Sequence, residues 1–211
     1  MCKTKTIFIL SLIALFFHNS LCHKVHAQSF ELVPEVSFGR CFNLMNLFDE
    51  PLDKNNDSQV GLVLSYQPKD SLLFSLILGI KFDRKGDKQA SINSIRFPLG
   101  IEKQFGRKVQ ALFGCGFYFS FIMNSDIPTR AEPYVRMTDV QLSGYVHVGL
   151  AVSFTKHIAG FFALRSEYDF TPLYKVEQVN HSGTVSYNNY RGLSYLLSLG
   201  IKYRFHASSP Q

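Results

Sequence analysis

The residues able to do chemistry in this sequence are single charges set into runs of alternating apolar residues. Glu31 and Glu35 stand in SFELVPEVSF, Lys81 in LGIKFD, Arg96 in NSIRFPL and Glu102 in LGIEKQF. Arg165 and Glu167 follow in FALRSEYDF, and Lys202 and Arg204 in LGIKYRFH. Carboxylates paired with cations in a confined space form either a structural ion-pair plug or a path for protons and small ions. A second constellation is Ser143, His147 and Ser153, a hydroxyl–imidazole set of the kind used for nucleophilic attack. All three fall on one face of one extended segment, and no acid on that segment is placed to orient the imidazole, so a hydrolytic triad is not expected. His147, His157, His181 and His206 are scattered, and no Cys/His spacing matches a metal site. Neither a metal nor an organic cofactor is expected.

The elements that must position these charges are read most clearly in 191–205, RGLSYLLSLGIKYRF. Leu193, Tyr195, Leu197, Leu199, Ile201, Tyr203 and Phe205 alternate with mostly small or charged residues. A period of two is the signature of a β-strand with unlike faces. Thirteen such residues span roughly 43 Å, or about 33 Å along a membrane normal when tilted near 40°. The same alternation recurs at 30–39, 60–67, 71–82, 94–105, 109–121, 141–154 and 162–170, giving eight strands. Pro98 lies inside the fourth and predicts a bulge or an edge-like distortion there.

The connections alternate in length. Longer ones cover 43–59, 83–90, 122–137 and 171–190, the last the longest. Tight turns fall at 68–70, 106–108 and around Lys156 and His157. Strand pairs joined in this way predict an all-β, eight-stranded antiparallel up-and-down transmembrane β-barrel, with short periplasmic turns, longer external loops and both termini in the periplasm. A soluble ligand-binding barrel has the same strand count. It would need Lys, Glu and Thr on its water-facing side, whereas the non-apolar face here is dominated by Gly, Ser, Ala and Gln, as a crowded lumen requires. The nine charges named above and His147 would then line that lumen. Glu31 or Glu35 would meet Lys202 or Arg204 where the first and last strands close.

The first 27 residues have the form of a cleaved secretory signal: Lys3 and Lys5, an apolar core over 7–17, and small-residue cleavage chemistry ending at Ala27, with Gln28 as the new N-terminus. The barrel is expected over 28–205 and a short periplasmic tail over 206–211. Removing the signal leaves a net charge of +3. With no basic stripe carrying interleaved aromatics, no nucleic-acid partner is expected. Cys41 and Cys115 fall on opposite sides of the barrel and are expected to stay unpaired. Tyr174, Tyr187, Asn188, Asn189 and Tyr190 crowd the last loop and offer flat, adaptable contacts to a protein or glycan partner.

The PLGIEKQFG segment, the GCGFYFSF strand with its spaced glycines and the LRSEYDF strand resemble the PorT-like outer-membrane β-barrel proteins of Bacteroidota, a Gram-negative group. That resemblance spans the mature chain and implies an eight-stranded outer-membrane barrel, inserted by the barrel-assembly machinery. Some members of that family are associated with protein secretion. The expected role is non-enzymatic, structural or interactive: membrane integrity, adhesion, or accessory work in secretion. A narrow porin-like channel and an outer-leaflet lipid-modifying enzyme are the alternatives.

Overall fold

The computed structural model describes residues 27–44, 53–68, 74–86, 91–126, 135–172, 174–179 and 185–206. The expected signal, up to the residue before Ala27, and the expected tail beyond His206 lie outside the described residues. Among the described residues there are ten strands: β1 Ala27–Leu44, β2 Asp53–Pro68, β3 Ser75–Gly86, β4 Ser91–Gly106, β5 Val109–Asp126, β6 Val135–Met137, β7 Val140–Ser153, β8 Ile158–Asp169, β9 Tyr174–Val179 and β10 Val185–His206. β1, β2, β3, β4, β5, β7, β8 and β10 pair in sequence order, all antiparallel, and β1 pairs with β10 to close an eight-stranded barrel. β9 and β6 add to the first residues of β10 as a small sheet beyond the barrel rim.

The register fixes the shape. Glu31 pairs with Ser65, Ser65 with Ile77, Ile77 with Gly100, Gly100 with Gly116, Gly116 with Tyr145, Tyr145 with Glu167, Glu167 with Ser194 and Ser194 with Cys41. One circuit therefore returns to β1 ten residues above its start, from 31 to 41. That stagger, at about 3.3 Å per residue over strands about 4.7 Å apart, tilts the strands by about 40°. The climb from Glu31 to Cys41 is then about 25 Å along the barrel axis, close to the thickness of a hydrocarbon core.

Alternation decides the two faces. Val36, Phe38, Leu62, Leu76, Phe82, Leu99, Phe113, Phe117, Val146, Phe162, Leu164, Leu199 and Ile201 all point outward and are exposed. Lys103 marks the edge of this band at the end carrying both termini, its ammonium 5.0 Å from the Phe105 ring and 5.6 Å from that of Phe74. Arg40 and Arg84 point outward near the other edge. Between those levels, the outward face of the described residues carries no charge. A continuous apolar band of this height has no place in water and suits lipid. The inner face mixes polar groups with buried apolar residues: a small cluster of Val33, Val63 and Ile77 packed on Phe161, and elsewhere Leu112, Leu196 and the Tyr118 and Tyr145 rings. Inward glycines make room there. A Cβ added at Gly100 or at Gly116 would press on the Tyr145 hydroxyl, so both positions stay bare to seat that ring.

Five expectations need correction. The loop read over 43–59 is short, because β2 begins at Asp53 and pairs with β1 as far as Asn43. β3 likewise runs through Gly86, taking in half of the expected 83–90 connection. Much of 122–137 and 171–190 is also paired backbone, in the end of β5 and in β6, β9 and the start of β10. The reason is common to all: beyond the lipid, neither face of a strand has to be apolar, so DKNNDSQ pairs without alternating. At Pro98 no bulge forms. The β3 ladder skips Gly79 and Ile80 but resumes in the same register, since proline removes a donor and not an extended conformation. The bulge lies instead at Asn93 and Ser94, against β5. Cys41 is buried on the inner face and Cys115 exposed on the outer one; both are free thiols.

Candidate functional site: a charged lumen

The inward charges fall into three tiers along the axis. In the tier nearest the termini, Arg204 on β10 donates to Glu31 Oε1 on β1 through Nε and Nη2, at 2.8 and 2.6 Å. Lys202 donates to Glu102 Oε1 at 2.7 Å and stands 3.7 Å from Glu31. His147 Nε2 lies 3.0 Å from the other Glu102 oxygen, with its ring stacked parallel to Tyr145. Gln104 ties the tier together by donating to both Glu31 and Glu102.

The middle tier crosses the barrel. Glu35 accepts from Lys81 on β3 and, at 3.1 Å, from Arg165 on β8. Lys81 also donates to the Tyr118 hydroxyl at 3.0 Å. Arg96 meets Glu167 at 2.5 Å, and Gln59 donates to the same carboxylate at 3.1 Å. Tyr118 and Tyr145 fill the remaining width with ring centroids 4.6 Å apart, and the Arg96 guanidinium lies 4.0 Å over the Tyr118 ring. This aromatic contact spreads the cation's field without adding charge.

In the far tier, Asp169 accepts from Ser143 Oγ at 2.6 Å, from the Gly192 N–H at 3.0 Å and from Lys85 at 3.3 Å. Asp83 accepts from Ser94 Oγ at 3.3 Å and stands 3.6 Å from Arg96. Asp57 is 1 % exposed.

The structure places Glu31, Glu35, Lys81, Arg96, Glu102, His147, Arg165, Glu167, Lys202 and Arg204 on the inner face, all but Arg204 buried. Glu31 meets Arg204 as the closing strands predict, whereas Glu35 does not meet the β10 cations. Its ladder partner on β10 is Gly200, and its carboxylate is taken by Lys81 and Arg165 instead. Ser143 is committed to Asp169, and four residues along β7 put it about 13 Å from His147. The acid beside His147 is Glu102, from β4, which a search along one strand misses.

Sequence reasoning also missed Asp57, Gln59, Asp83, Lys85 and Asp169 as lumenal groups. The signal was present: counting by twos from Lys81 through Asp83 and Lys85, or back from Gly61 through Gln59 and Asp57, stays on the inner face. Tyr174, Tyr187, Asn188, Asn189 and Tyr190 are strand residues, with Tyr190 paired to Tyr174 and Tyr187 to Glu177; their side chains lie outside the described ones. So do those of Ala27 and Gln28, whose backbone opens β1. Among the described residues, no group of three or more His, Cys, Asp or Glu is arranged to hold a metal ion.

Comparison with protein-family models and with curated proteins finds no match. Among solved structures, the chain is similar to Neisserial surface protein A, at 12 % identity over 83 % of this chain and 97 % of that one, with a TM-score of 0.52. It is also similar to the outer membrane protein AlkL, whose structure was determined by solid-state NMR in DMPC lipid bilayers, at 10 % identity over 88 % and 93 % of the two chains, with a TM-score of 0.50. Identities this low speak for the fold alone. The chain has the closed, eight-stranded, antiparallel up-and-down fold of outer-membrane β-barrels.

Proposed function

We propose that this chain is a non-enzymatic, non-conducting barrel of the outer membrane, serving membrane integrity, adhesion or accessory work in secretion. The observation that carries the reading is the lumen itself. Ion pairs and two tyrosine rings cross it at mid-height, leaving a cavity of about 30 Å³ beside Glu35, Tyr118, His147 and Arg165. That volume takes about one water and no solute. Among the described residues, His147 is bonded to Glu102 while Ser143 is held by Asp169, so the serine–imidazole pairing of a hydrolase is not formed, which supports a role without catalysis. The small sheet of β6, β9 and the start of β10 supports contact with a protein or glycan through Tyr174, Tyr187, Asn188, Asn189 and Tyr190. On this reading a signal ending at Ala27 is removed, the barrel-assembly machinery inserts the chain, and the termini face the periplasm. The kinship with PorT-like proteins of Bacteroidota belongs to the same proposal and rests on the PLGIEKQFG, GCGFYFSF and LRSEYDF segments.

The test is a planar-bilayer recording of the refolded barrel. A silent bilayer is the expected result, with insertion verified by a boiling-dependent gel shift. Stable, large unitary currents would overturn the plugged lumen and bring forward the porin-like channel.

A further inference from the structure

The far half of the lumen is short of cations. Four carboxylates, Asp57, Asp83, Glu167 and Asp169, share Lys85 and Arg96. Lys85 stands opposite Asp57 in the β2–β3 ladder, yet its ammonium is turned to Asp169. Arg96 is held by Glu167, with Asp83 a more distant second partner. Asp57 is left with no hydrogen-bond partner on either oxygen among the described residues, and Asp83 with one oxygen unpartnered.

Two further oxygens converge on this place. Gln59 donates its amide nitrogen to Glu167, which leaves its carbonyl oxygen outside any hydrogen bond. Ser194 lies diagonally across the closing seam: Gly39, which pairs with Asp57, pairs on β10 with Leu196, and Ser194 is the next inward residue; its hydroxyl is also unpartnered and fully buried. Gln59 pairs directly with Asp83, and Asp57 is the next inward residue on β2. Facing pairs in a ladder have Cβ atoms about 5 Å apart and diagonal ones about 7–8 Å. A carboxylate buried without a counter-charge is costly enough that something must neutralise it. A proton would satisfy one oxygen, whereas the four side chains present several.

We propose that Asp57, Asp83, Gln59 and Ser194 form a site for a small hard cation inside the far end of the barrel. All four offer oxygen, the donor preferred by sodium and calcium over softer metals. Counting the middle and far tiers together, five carboxylates, Glu35 included, face four cations, Lys81 and Arg165 included, so one positive charge restores balance and sodium is the better fit.

The experiment compares urea unfolding of the refolded full barrel in nonionic detergent. The salts are sodium chloride, calcium chloride and N-methylglucamine chloride, at equal ionic strength. A higher unfolding midpoint in sodium than in N-methylglucamine is expected for the wild type. Asp57→Asn should raise the midpoint in N-methylglucamine and abolish the sodium dependence, and Ser194→Ala should shift the sodium response to higher concentration. A midpoint independent of the cation, or a sodium effect undiminished in both variants, would overturn the site. A stabilisation that follows pH and not the cation would assign Asp57 to a proton instead. A response to calcium alone would overturn the monovalent assignment.

Discussion

Arg96 and Glu167 meet at 2.5 Å between β4 and β8, three strands apart around the barrel, with both side chains withdrawn from water. The bond therefore spans the lumen and is not a lateral contact between neighbouring strands. Removing one partner strands the other: Glu167→Ala is expected to destabilise the barrel by about 3–5 kcal/mol. Replacing both with leucine restores compatibility with a low-dielectric interior and should recover most of that loss. A double-mutant cycle in urea, read by the boiling-dependent gel shift, measures it; a double variant as unstable as the single one would contradict the spanning role.

The outward face predicts a depth-dependent response to charge. Leu164 lies on β8 between the level of Lys103 and that of Arg40, and is 61 % exposed. Leu164→Arg should cost about 2–4 kcal/mol in lipid bilayers, while Phe154→Arg at the barrel rim should cost about 0–1 kcal/mol. Equal costs at the two positions would mean that the band does not face hydrocarbon.

Much of this architecture was legible in the sequence, for a physical reason. Where lipid presses on one face and packed side chains on the other, each residue has one permitted side, and the period of two is enforced, as in Leu193 to Phe205. Outside the lipid that pressure ends. Asn55, Asn56, Asp57 and Ser58 then read as a loop although their backbones pair with β1. The site suffered the same blindness: Glu35 could be placed on the inner wall, but its choice of Arg165 over Lys202 depends on the ten-residue stagger, which no single strand reveals. Pro98 misled in the opposite direction, since the β3 ladder breaks beside it, at Gly79 and Ile80, without moving the register.

The two thiols should differ by environment. Cys115 points to the apolar exterior and Cys41 to the packed lumen. In bilayers, a lipid-soluble maleimide should label Cys115, and a charged, water-soluble one should label neither. Both cysteines should react after unfolding. Labelling of Cys41 in the folded barrel by a charged reagent would reveal a water path past Asp169 and contradict a filled lumen.

The β1–β10 ladder joins the first and last strands of the barrel, with Glu31 and Arg204 bonded across a sequence separation of 173 residues. Its rungs can form only after the last strand has been made, and until then β1 and β8 each present a bare edge that hydrocarbon does not tolerate. No shortened version of this barrel, lacking either terminal strand, has a resting place in the membrane. Closure therefore needs both terminal strands, and the Glu31–Arg204 pair is the clasp between them.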